Sequence, residues 1–487
     1  MGAYINIGNA GFKSALRSEF VDKTGLIAEI NNTLFSENRF TCVSRCRRFG
    51  KSLAAKMLCA YYDRSCDSRE LFKGLEIESH PSFEKHLNKY PVIYVDMTKF
   101  ITDFGHEDNI VDHIQASLIS DLKKAYPQVE LSDSPRVMDI LDELHTTLGD
   151  QFIIIIDEWD AICREFDSES MAMRDYVNLL RRMFKSEDAY RVFVGVYMTG
   201  IMPIRKYETQ SSLNNFWEYS MVQPEPLASY FGFTKAEVKA LCEKHNMPFE
   251  DLEKWYDGYS IGDEHSIFNP ASVMKAIEKR KCRSYWTSTS SFDAVAKYIQ
   301  LNLEGLKDDI IHMLGGGFCK VKSDRFENDP SKIRTKNDVM MMLIHLGYLT
   351  FNDEDETCHI PNYEVSSQIE AAIESCQWHE VMNALDASDQ LLDDLLHMDE
   401  EAVAHGIAKV HDENVSVLKY NNENSLSCVI TLAFYTAKAK YNIIREFPTG
   451  RGFADLVFIP WRNVVSPAIV VELKWNQSAE TAIKQIH

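Results

Sequence analysis

Buried-strand patterns alternate with helical patterns through the first 200 residues of the chain. Continuous apolar runs, which are typical of strands covered on both faces, occur at residues 39–44, 91–97, 152–157 and 191–200. Apolar residues at helical spacing predict helices at 53–62, 108–126, 134–148 and 171–184. Strands that alternate with helices in this way predict an α/β fold with a parallel sheet.

The pattern changes after residue 205, where helical spacing dominates. Helices are predicted at 234–245, 269–280 and 336–346, and an aromatic loop punctuated by glycines at 255–262. The helix at 336–346 is followed by two short strand patterns, as in the latter half of a winged helix. The turn between them is acidic and would repel phosphates, which favours a structural wing over a DNA-binding one. Residues 366–410 are helical and acidic, and are interpreted as a connector.

The first candidate site is the turn after the strand at 39–44. It ends in Gly50, Lys51 and Ser52 and leads into a helix, which is the arrangement of a P-loop. Backbone N–H groups at a helix N-terminus favour anions, and the lysine adds a positive charge. Lys51 is therefore predicted to reach the β- and γ-phosphates, and Ser52 to ligate Mg²⁺. The usual first glycine of the motif is replaced by Arg45, so a basic turn that caps an ordinary helix is the alternative.

The strand at 152–157 supplies the partner of this turn. Four consecutive isoleucines precede Asp157 and Glu158, so two carboxylates follow a strand buried on both faces. Ligands of α/β folds bind at the carboxyl ends of the strands. We predict that Asp157 holds Mg²⁺ and that Glu158 orients or deprotonates the attacking water. An acidic loop after a core strand is the structural alternative.

Composition narrows the class of protein. The apolar content of 45% and charged content of 26% are those of a globular protein, and no apolar run reaches the length of a membrane span. We therefore expect a cytoplasmic protein without membrane contact. The net charge of −21 excludes nucleic-acid binding through the electrostatic field of the whole protein. Any DNA contact therefore requires a local basic surface, and the candidates are residues 279–283 and 320–336. Eleven cysteines without a Cys-x-x-Cys pair indicate reduced thiols.

Residues 44–52 and 156–160 resemble a bacterial protein family that joins an AAA-ATPase-like domain to a C-terminal PD-(D/E)XK nuclease-like domain. Further stretches with this resemblance lie at 21–24, 193–200, 255–259, 268–270, 347–350 and 361–365. The resemblance implies an ATPase-like domain at 1–204, a helical lid with a winged-helix-like end at 205–365, the connector at 366–410 and a nuclease-like domain at 411–487. It also implies that ATP and Mg²⁺ are the cofactors and that Arg45 is a family trait.

The same resemblance assigns roles to further residues of the first domain. Arg45 and Arg48 are expected to contact the nucleotide, together with Gly50, Lys51, Ser52 and Asp157. Thr199 ends a strand where AAA-type folds place a polar residue that senses the γ-phosphate, although a simple strand-end cap fits it equally well. Arg47, Arg48 and Arg205 are candidates for contacting phosphate.

The last 77 residues carry the second candidate site. Strand patterns are predicted at 441–446, 453–459 and 468–474, and Glu472 and Lys474 share one face of the last of them. In the PD-(D/E)XK arrangement Asp455 and Glu472 would bind Mg²⁺, and Lys474 would position the water or neutralise the phosphate. A solvated salt bridge on an edge hairpin is the alternative. The family usually continues with more sheet beyond residue 487, so an incomplete nuclease core is one expectation.

Two functional hypotheses follow. The first is an ATP-hydrolysing protein whose α/β domain controls a metal-dependent nuclease-like domain acting on nucleic acid. A homo-oligomer is a further possible expectation. The second is a nucleotide-switched interaction module whose nuclease fold is inactive. The residues Asp455, Glu472 and Lys474 favour the first hypothesis, and the acidic charge favours the second.

Overall fold

The computed structural model describes residues 2–204, 213–286, 291–301, 303–314, 316–323, 326, 333–375, 379–414, 430–431, 433–448, 453–460 and 466–473. The chain divides into two compact units. The first comprises residues 1–285, 322–333 and 338–356, and the second comprises 286–321, 334–337 and 357–487. The four-part division expected from the sequence stays a prediction. Among the described helices, none combines the length and apolar character needed to span a bilayer.

A five-stranded parallel sheet forms the centre of the first unit. Its strands are β1 (Phe40–Ser44), β2 (Val92–Asp96), β3 (Phe152–Asp157), β4 (Phe193–Gly200) and β5 (Trp217–Tyr219). They lie in the order β2-β3-β4-β1-β5. The α/β fold with a parallel sheet predicted from the sequence is therefore confirmed.

Ten helices accompany this sheet in the described part of the first 204 residues. They are α1 (Ala10–Ala15), α2 (Gly25–Thr33), α3 (Lys51–Tyr62), α4 (Phe83–His86), α5 (Met97–Phe104), α6 (Ile110–Ala125), α7 (Val137–Leu148), α8 (Ala161–Glu165), α9 (Met171–Phe184) and α10 (Glu187–Val192). The sequence pattern predicted a strand from residue 191, but α10 occupies the residues up to 192, so β4 begins two residues later.

The isoleucine run of β3 is buried on both faces of the sheet. Ile154 and Ile156 belong to a core with α6, α7 and α9, whereas Ile153 and Ile155 belong to a core with α2 and α3. Because side chains alternate along a strand, Asp157 lies on the same face as Ile155, which is the face that α3 covers. Thr199 follows Tyr197 by two residues and lies on that face as well. This alternation places the predicted site residues beside the start of α3.

The rest of the first unit contains a small antiparallel sheet with helices around it. The sheet has the order β6-β8-β7, with β6 (Phe233–Thr234), β7 (Tyr259–Ile261) and β8 (Glu264–Phe268). The helices are α11 (Lys235–His245), α12 (Phe249–Tyr256) and α13 (Pro270–Lys279). The stretch 255–262, predicted as a loop, is thus the end of α12 followed by β7. Its alternating Tyr259 and Ile261 are both buried, but three residues are too few for a periodic signal.

The remaining elements follow in chain order. The helices are α14 (Ser291–Gln300), α15 (Leu306–Leu314), α16 (Lys336–Leu346), α17 (Tyr363–Ser375), α18 (His379–Leu396) and α19 (Glu400–Asn414). The strands are β9 (Cys319–Lys320), β10 (Thr350–Asn352), β11 (Thr357–His359), β12 (Tyr441–Pro448), β13 (Phe453–Pro460) and β14 (Ile469–Val471). The strands β12, β13 and β14 form an antiparallel sheet in that order.

Candidate nucleotide site

The turn between β1 and α3 is held in a conformation that requires glycine at its end. Gly50 has a φ angle of 92°, in the left-handed region, and α3 begins at the next residue. The N–H of Arg45 donates to the carbonyl oxygen of Gly200 at 3.1 Å, which ties the start of the turn to the end of β4. The first N–H groups of α3 have no carbonyl partner within the helix, and their positive end suits an anion.

Lys51 and Ser52 lie beside the carboxylates that follow β3. The Nζ atom of Lys51 donates to the carbonyl oxygen of Cys46 at 3.1 Å and lies 3.8 Å from Oε1 of Glu158. The Ser52 hydroxyl lies near enough to the Asp157 carboxylate to lower its pKa. Asp157 accepts hydrogen bonds from the N–H of Glu158 and, at 3.3 Å, from the hydroxyl of Tyr94. The structure therefore brings together the four residues expected to handle phosphate, metal and water.

Burial changes the protonation of Asp157. The residue is 2% exposed, and burial raises the pKa of its carboxyl from 3.8 to about 6. The neighbouring carboxylates of Glu158 and Asp96 raise this pKa further, while the Ser52 hydroxyl and Lys51 lower it. An added positive charge at this point would relieve the desolvation and repulsion that disfavour the ionised carboxylate.

Glu158 lies in a network of charges that the sequence analysis did not identify. Its Oε2 accepts a hydrogen bond from Nη2 of Arg164 at 2.5 Å, and Nε of Arg164 lies 3.1 Å from Oδ2 of Asp160. Asp160 is completely buried and accepts hydrogen bonds from the N–H groups of Ile201 and Met202. The only sequence signal for this network is the i, i+4 spacing of Asp160 and Arg164 at the start of a helix.

Thr199 lies next to Asp157 in the parallel sheet. The two residues are register partners on β4 and β3, and Thr199 also pairs with Val43 on β1. Its hydroxyl is buried and has no hydrogen-bond partner among the described residues. A buried polar group without a partner is costly, so a ligand or water that accepted its hydrogen bond would be favoured.

Gly200 permits the close approach of the acidic turn to the end of β4. A Cβ atom at this position would lie 2.6 Å from Oδ1 of Asp160 and 2.8 Å from the ring of Trp159. The N–H of Trp159 also donates to the carbonyl oxygen of Thr199 at 3.0 Å. The turn after β3 is thereby packed directly against the strand end that carries Thr199.

A cavity of about 480 Å³ opens beside the start of α3. Its polar lining includes Gly50, Lys51, Ser52 and Glu158, and also Glu19, Lys23, Arg47 and Arg48. Its apolar side chains come from the segment before α2, from α3, and from the region around β6 and α13, and they include Ala15, Phe20, Val21, Met57, Phe233 and Met274. A ligand with both a charged part and a flat apolar part fits a lining of this kind.

The arginines of the turn have different environments. Arg45 is completely buried, donates to the carbonyl oxygens of Tyr219 and Ser220 at 2.8 Å each, and lies over the ring of Phe231. These contacts secure β5 against the turn, and Arg45 is not among the residues that line the cavity beside α3.

Arg47 and Arg48 both line the cavity. Arg48 has a φ angle of 70° and donates to the carbonyl oxygen of Tyr285 at 2.6 Å. Burial and the nearby Arg164 lower the pKa of Arg47. Arg205 lies outside the described residues.

The structure brings together two of the three C-terminal site residues expected from the sequence, Asp455 and Glu472. Leu456 on β13 pairs with Val471 on β14, so Asp455 and Glu472 are opposite each other at the end of this antiparallel pair. Oδ2 of Asp455 accepts a hydrogen bond from the N–H of Leu473 at 2.7 Å. Lys474 lies outside the described residues. Within the described ranges, no group of three His, Cys, Asp or Glu side chains is placed to hold a metal.

The candidate basic surfaces make local contacts. Lys279 pairs with Glu278 at 2.9 Å, and Arg280 donates to the carbonyl oxygen of His245. Part of the segment 320–336 lies outside the described residues. DNA binding at either segment stays a prediction, as does the homo-oligomer.

Comparison with known proteins bears on the first domain. A family model described as "AAA-ATPase_like: Predicted AAA-ATPase" matches residues 7–209, which include Lys51, Ser52, Asp157, Glu158 and Thr199. Residues 7–209 are therefore similar to a predicted AAA-ATPase-like domain. This match covers less than half of the chain and does not extend to the C-terminal strands. No curated protein matches.

Two solved structures with weak likeness are archaeal. One is the Aeropyrum pernix ORC2 protein in ADPNP–ADP complexes, with 14% identity, a TM-score of 0.35, and coverage of 73% of this chain and 93% of that one. The other is Cdc6p from Pyrobaculum aerophilum, with 10% identity, a TM-score of 0.30, and coverage of 77% and 99%. Likeness at these scores carries no argument about function.

Proposed function

We propose that the first unit binds ATP at the start of α3 and hydrolyses it with Mg²⁺. The observation that carries this proposal is that Lys51, Ser52 and Glu158 line the 480 Å³ cavity, with the buried Asp157 carboxylate beside Ser52 and Lys51. Each residue type matches one task in phosphoryl transfer to water. The AAA-ATPase-like family match over residues 7–209 supports the same function independently.

The phosphate contacts come from α3 and its preceding turn. Lys51 is 4% exposed and its two nearest partners are a backbone carbonyl and the Glu158 carboxylate, so it is already positioned at the cavity. A triphosphate would replace these partners with stronger charge-assisted hydrogen bonds. The N–H groups that open α3 would donate to the same phosphates.

The apolar side chains that line the cavity suit a nucleobase. Phe20, Val21 and Met274 are among them, and a flat aromatic ring gains from burial against such side chains. The base would then lie between the segment before α2 and the residues around α13. This arrangement supports a nucleotide over inorganic polyphosphate, which has no apolar part.

The residues beside Lys51 fit a magnesium ion. Ser52 and Asp157 offer oxygen ligands, and a bound cation would offset the burial and the neighbouring carboxylates that raise the pKa of Asp157. Mg²⁺ on a nucleotide needs only one or two protein ligands, because phosphates and water complete its shell. When bound, it would supply positive charge that neutralises the phosphate oxygens.

Glu158 is the residue that we assign to the attacking water. Its carboxylate lines the cavity and lies 3.8 Å from Lys51, so it is close to where the terminal phosphate would lie. A carboxylate there can accept a hydrogen bond from a water molecule and take its proton as the phosphorus–oxygen bond forms. The unpartnered hydroxyl of Thr199 would donate to the terminal phosphate or to this water.

Calorimetric titration and phosphate release test this proposal. Titration of the full chain with ATP, GTP and tripolyphosphate in Mg²⁺ buffer should show binding of the nucleotides and weak binding of tripolyphosphate. Phosphate release should depend on both ATP and Mg²⁺. Binding of tripolyphosphate as tight as that of ATP would contradict the proposed contact between the nucleobase and the apolar lining of the cavity. Absence of all binding would refute the nucleotide site.

A second candidate function concerns the C-terminal sheet. We propose that Asp455 and Glu472 form part of a metal-dependent nuclease-like site, because the β13–β14 register places them opposite each other. Asp455 already accepts a backbone hydrogen bond, which would orient its carboxylate. Lys474, two residues beyond Glu472, would complete the site.

This second proposal is tested on the full chain with Mn²⁺. Wild type should cleave a mixed DNA substrate in the presence of Mn²⁺, and Asp455→Asn should lose the cleavage while its ATP affinity is unchanged. If wild type and Asp455→Asn both fail to cleave and show the same thermal response to Mn²⁺, the nuclease reading is refuted. That result would favour the nucleotide-switched interaction module.

A further inference from the structure

The carboxylate of Glu158 is held between two cations. Oε1 lies 3.8 Å from Nζ of Lys51, and Oε2 accepts a 2.5 Å hydrogen bond from Arg164. Glu158 also has a φ angle of 50°, in the left-handed region that non-glycine residues adopt at a cost. Both its backbone and its side chain are therefore constrained.

The side chain of Arg164 is itself held in place where it contacts Glu158. Its side chain is 19% exposed, and its Nε atom lies 3.1 Å from the fully buried Asp160. Asp160 is anchored in turn by the N–H groups of Ile201 and Met202, two and three residues beyond Thr199. Arg164 thus connects the predicted base, Glu158, to the strand end that carries the predicted phosphate sensor.

The two cations around Glu158 differ in what a nucleotide would do to them. Phosphate oxygens would accept hydrogen bonds from Lys51, and Oε1 of Glu158 would then lose its ion pair with that lysine. They would not by themselves remove the hydrogen bond of Arg164 to Oε2. A carboxylate held in a charge-assisted hydrogen bond is less able to turn toward a water molecule.

We propose that Arg164 is a positioning residue that holds Glu158 in a resting state and restrains ATP hydrolysis. The proposal rests on the proposed ATPase function of the same site. Arg164 can give up Glu158 and still keep Asp160 as its counter-ion, so release costs only one of two pairs. A partner that takes the Nη2 group of Arg164 away from Glu158 while the pair with Asp160 persists would activate the site.

The test uses Arg164→Gln, alone and combined with Glu158→Gln. Arg164→Gln should raise kcat for phosphate release about tenfold, the equivalent of one charge-assisted hydrogen bond, and leave KM and ATP affinity unchanged. In the Glu158→Gln background the same substitution should have no effect, because the restrained carboxylate is absent. A purely structural role of Arg164 predicts no such dependence on Glu158.

Two further variants control for folding and for general loss of charge. Arg164→Lys keeps a cation at i+4 from Asp160 but cannot bridge both carboxylates with a planar fork, so kcat should rise by about two- to threefold. This variant decides the question if Arg164→Gln does not fold. Arg174→Gln removes an exposed arginine, paired with Glu169 outside the site, and should leave kcat unchanged.

A kcat that falls or stays constant in both Arg164 variants would overturn the proposal that Arg164 restrains hydrolysis. If wild type binds and hydrolyses ATP in that experiment, the proposed function survives and only the role of Arg164 is refuted. If wild type does not bind ATP, both the proposed ATPase function and the proposed role of Arg164 are refuted.

Discussion

Asp157→Asn should stabilise the nucleotide-free protein, and the gain should grow with pH. Asp157 is buried beside Glu158 and Asp96, and burial raises its pKa from 3.8 to about 6. A folded-state pKa above the unfolded value means that the folded protein binds this proton more tightly. Stability therefore falls as pH rises from about 4 through about 6, and stays reduced at higher pH.

The magnitude follows from the size of the pKa shift. A rise of about two pKa units corresponds to about 3 kcal/mol of lost stability at pH 8. About 1.4 kcal/mol of this loss develops between pH 5 and pH 8. Asparagine keeps the shape of the side chain and an oxygen that accepts the N–H of Glu158, but it carries no charge at either pH.

Urea unfolding at pH 5 and pH 8, in EDTA and without nucleotide, measures the effect. The quantity of interest is the free energy of unfolding of Asp157→Asn minus that of wild type, since this difference cancels every titration that the two proteins share. It should be positive and larger by about 1.4 kcal/mol at pH 8. A difference that is equal at the two pH values, or negative at pH 8, would refute the argument.

Three further substitutions separate the roles of neighbouring residues. Glu158→Gln should keep ATP affinity within about twofold and reduce phosphate release at least about a hundredfold, because a general base contributes that much; equal release by both proteins would exclude Glu158 as the base. Thr199→Val removes a buried hydroxyl that has no partner in the described structure, so thermal melting should show unchanged or higher stability while hydrolysis falls about tenfold; a parallel loss of stability would instead indicate a structural cap. Gly200→Ala should destabilise the protein by about 1–3 kcal/mol in urea unfolding, because its Cβ would lie 2.6 Å from Asp160, and a neutral result would show that the turn can shift.

The sequence predicted the sheet because its strands are buried on both faces. Four isoleucines before Asp157 leave no amphipathic alternative, and the core packing of Ile153 to Ile156 accounts for them. The P-loop turn was also predictable, since Gly50 needs its positive φ angle and Lys51 and Ser52 follow at the start of a helix. These signals are local, and a single sequence contains them.

The remainder depends on contacts between distant segments. The sequence gives no sign that Arg45 would turn away from the phosphate site toward the carbonyl oxygens of Tyr219 and Ser220, which are over 170 positions away. The hairpin of β7 and β8 lies partly where a loop is predicted, because the three residues of β7 are too few for a periodic signal. The link from Arg164 to Glu158 spans six residues across a turn in which Glu158 has a positive φ angle, and no periodic pattern predicts that geometry.

ATP titration of Lys51→Ala tests the central claim most directly. The experiment measures the dissociation constant of Mg²⁺·ATP by calorimetry for wild type, for Lys51→Ala, and for Lys56→Ala as a control on the exposed side of the same helix. If Lys51 contacts the phosphates, its loss should raise the dissociation constant about a hundredfold, and Lys56→Ala should leave it unchanged. Equal affinity of wild type and Lys51→Ala would contradict the assignment of the nucleotide site to the start of α3.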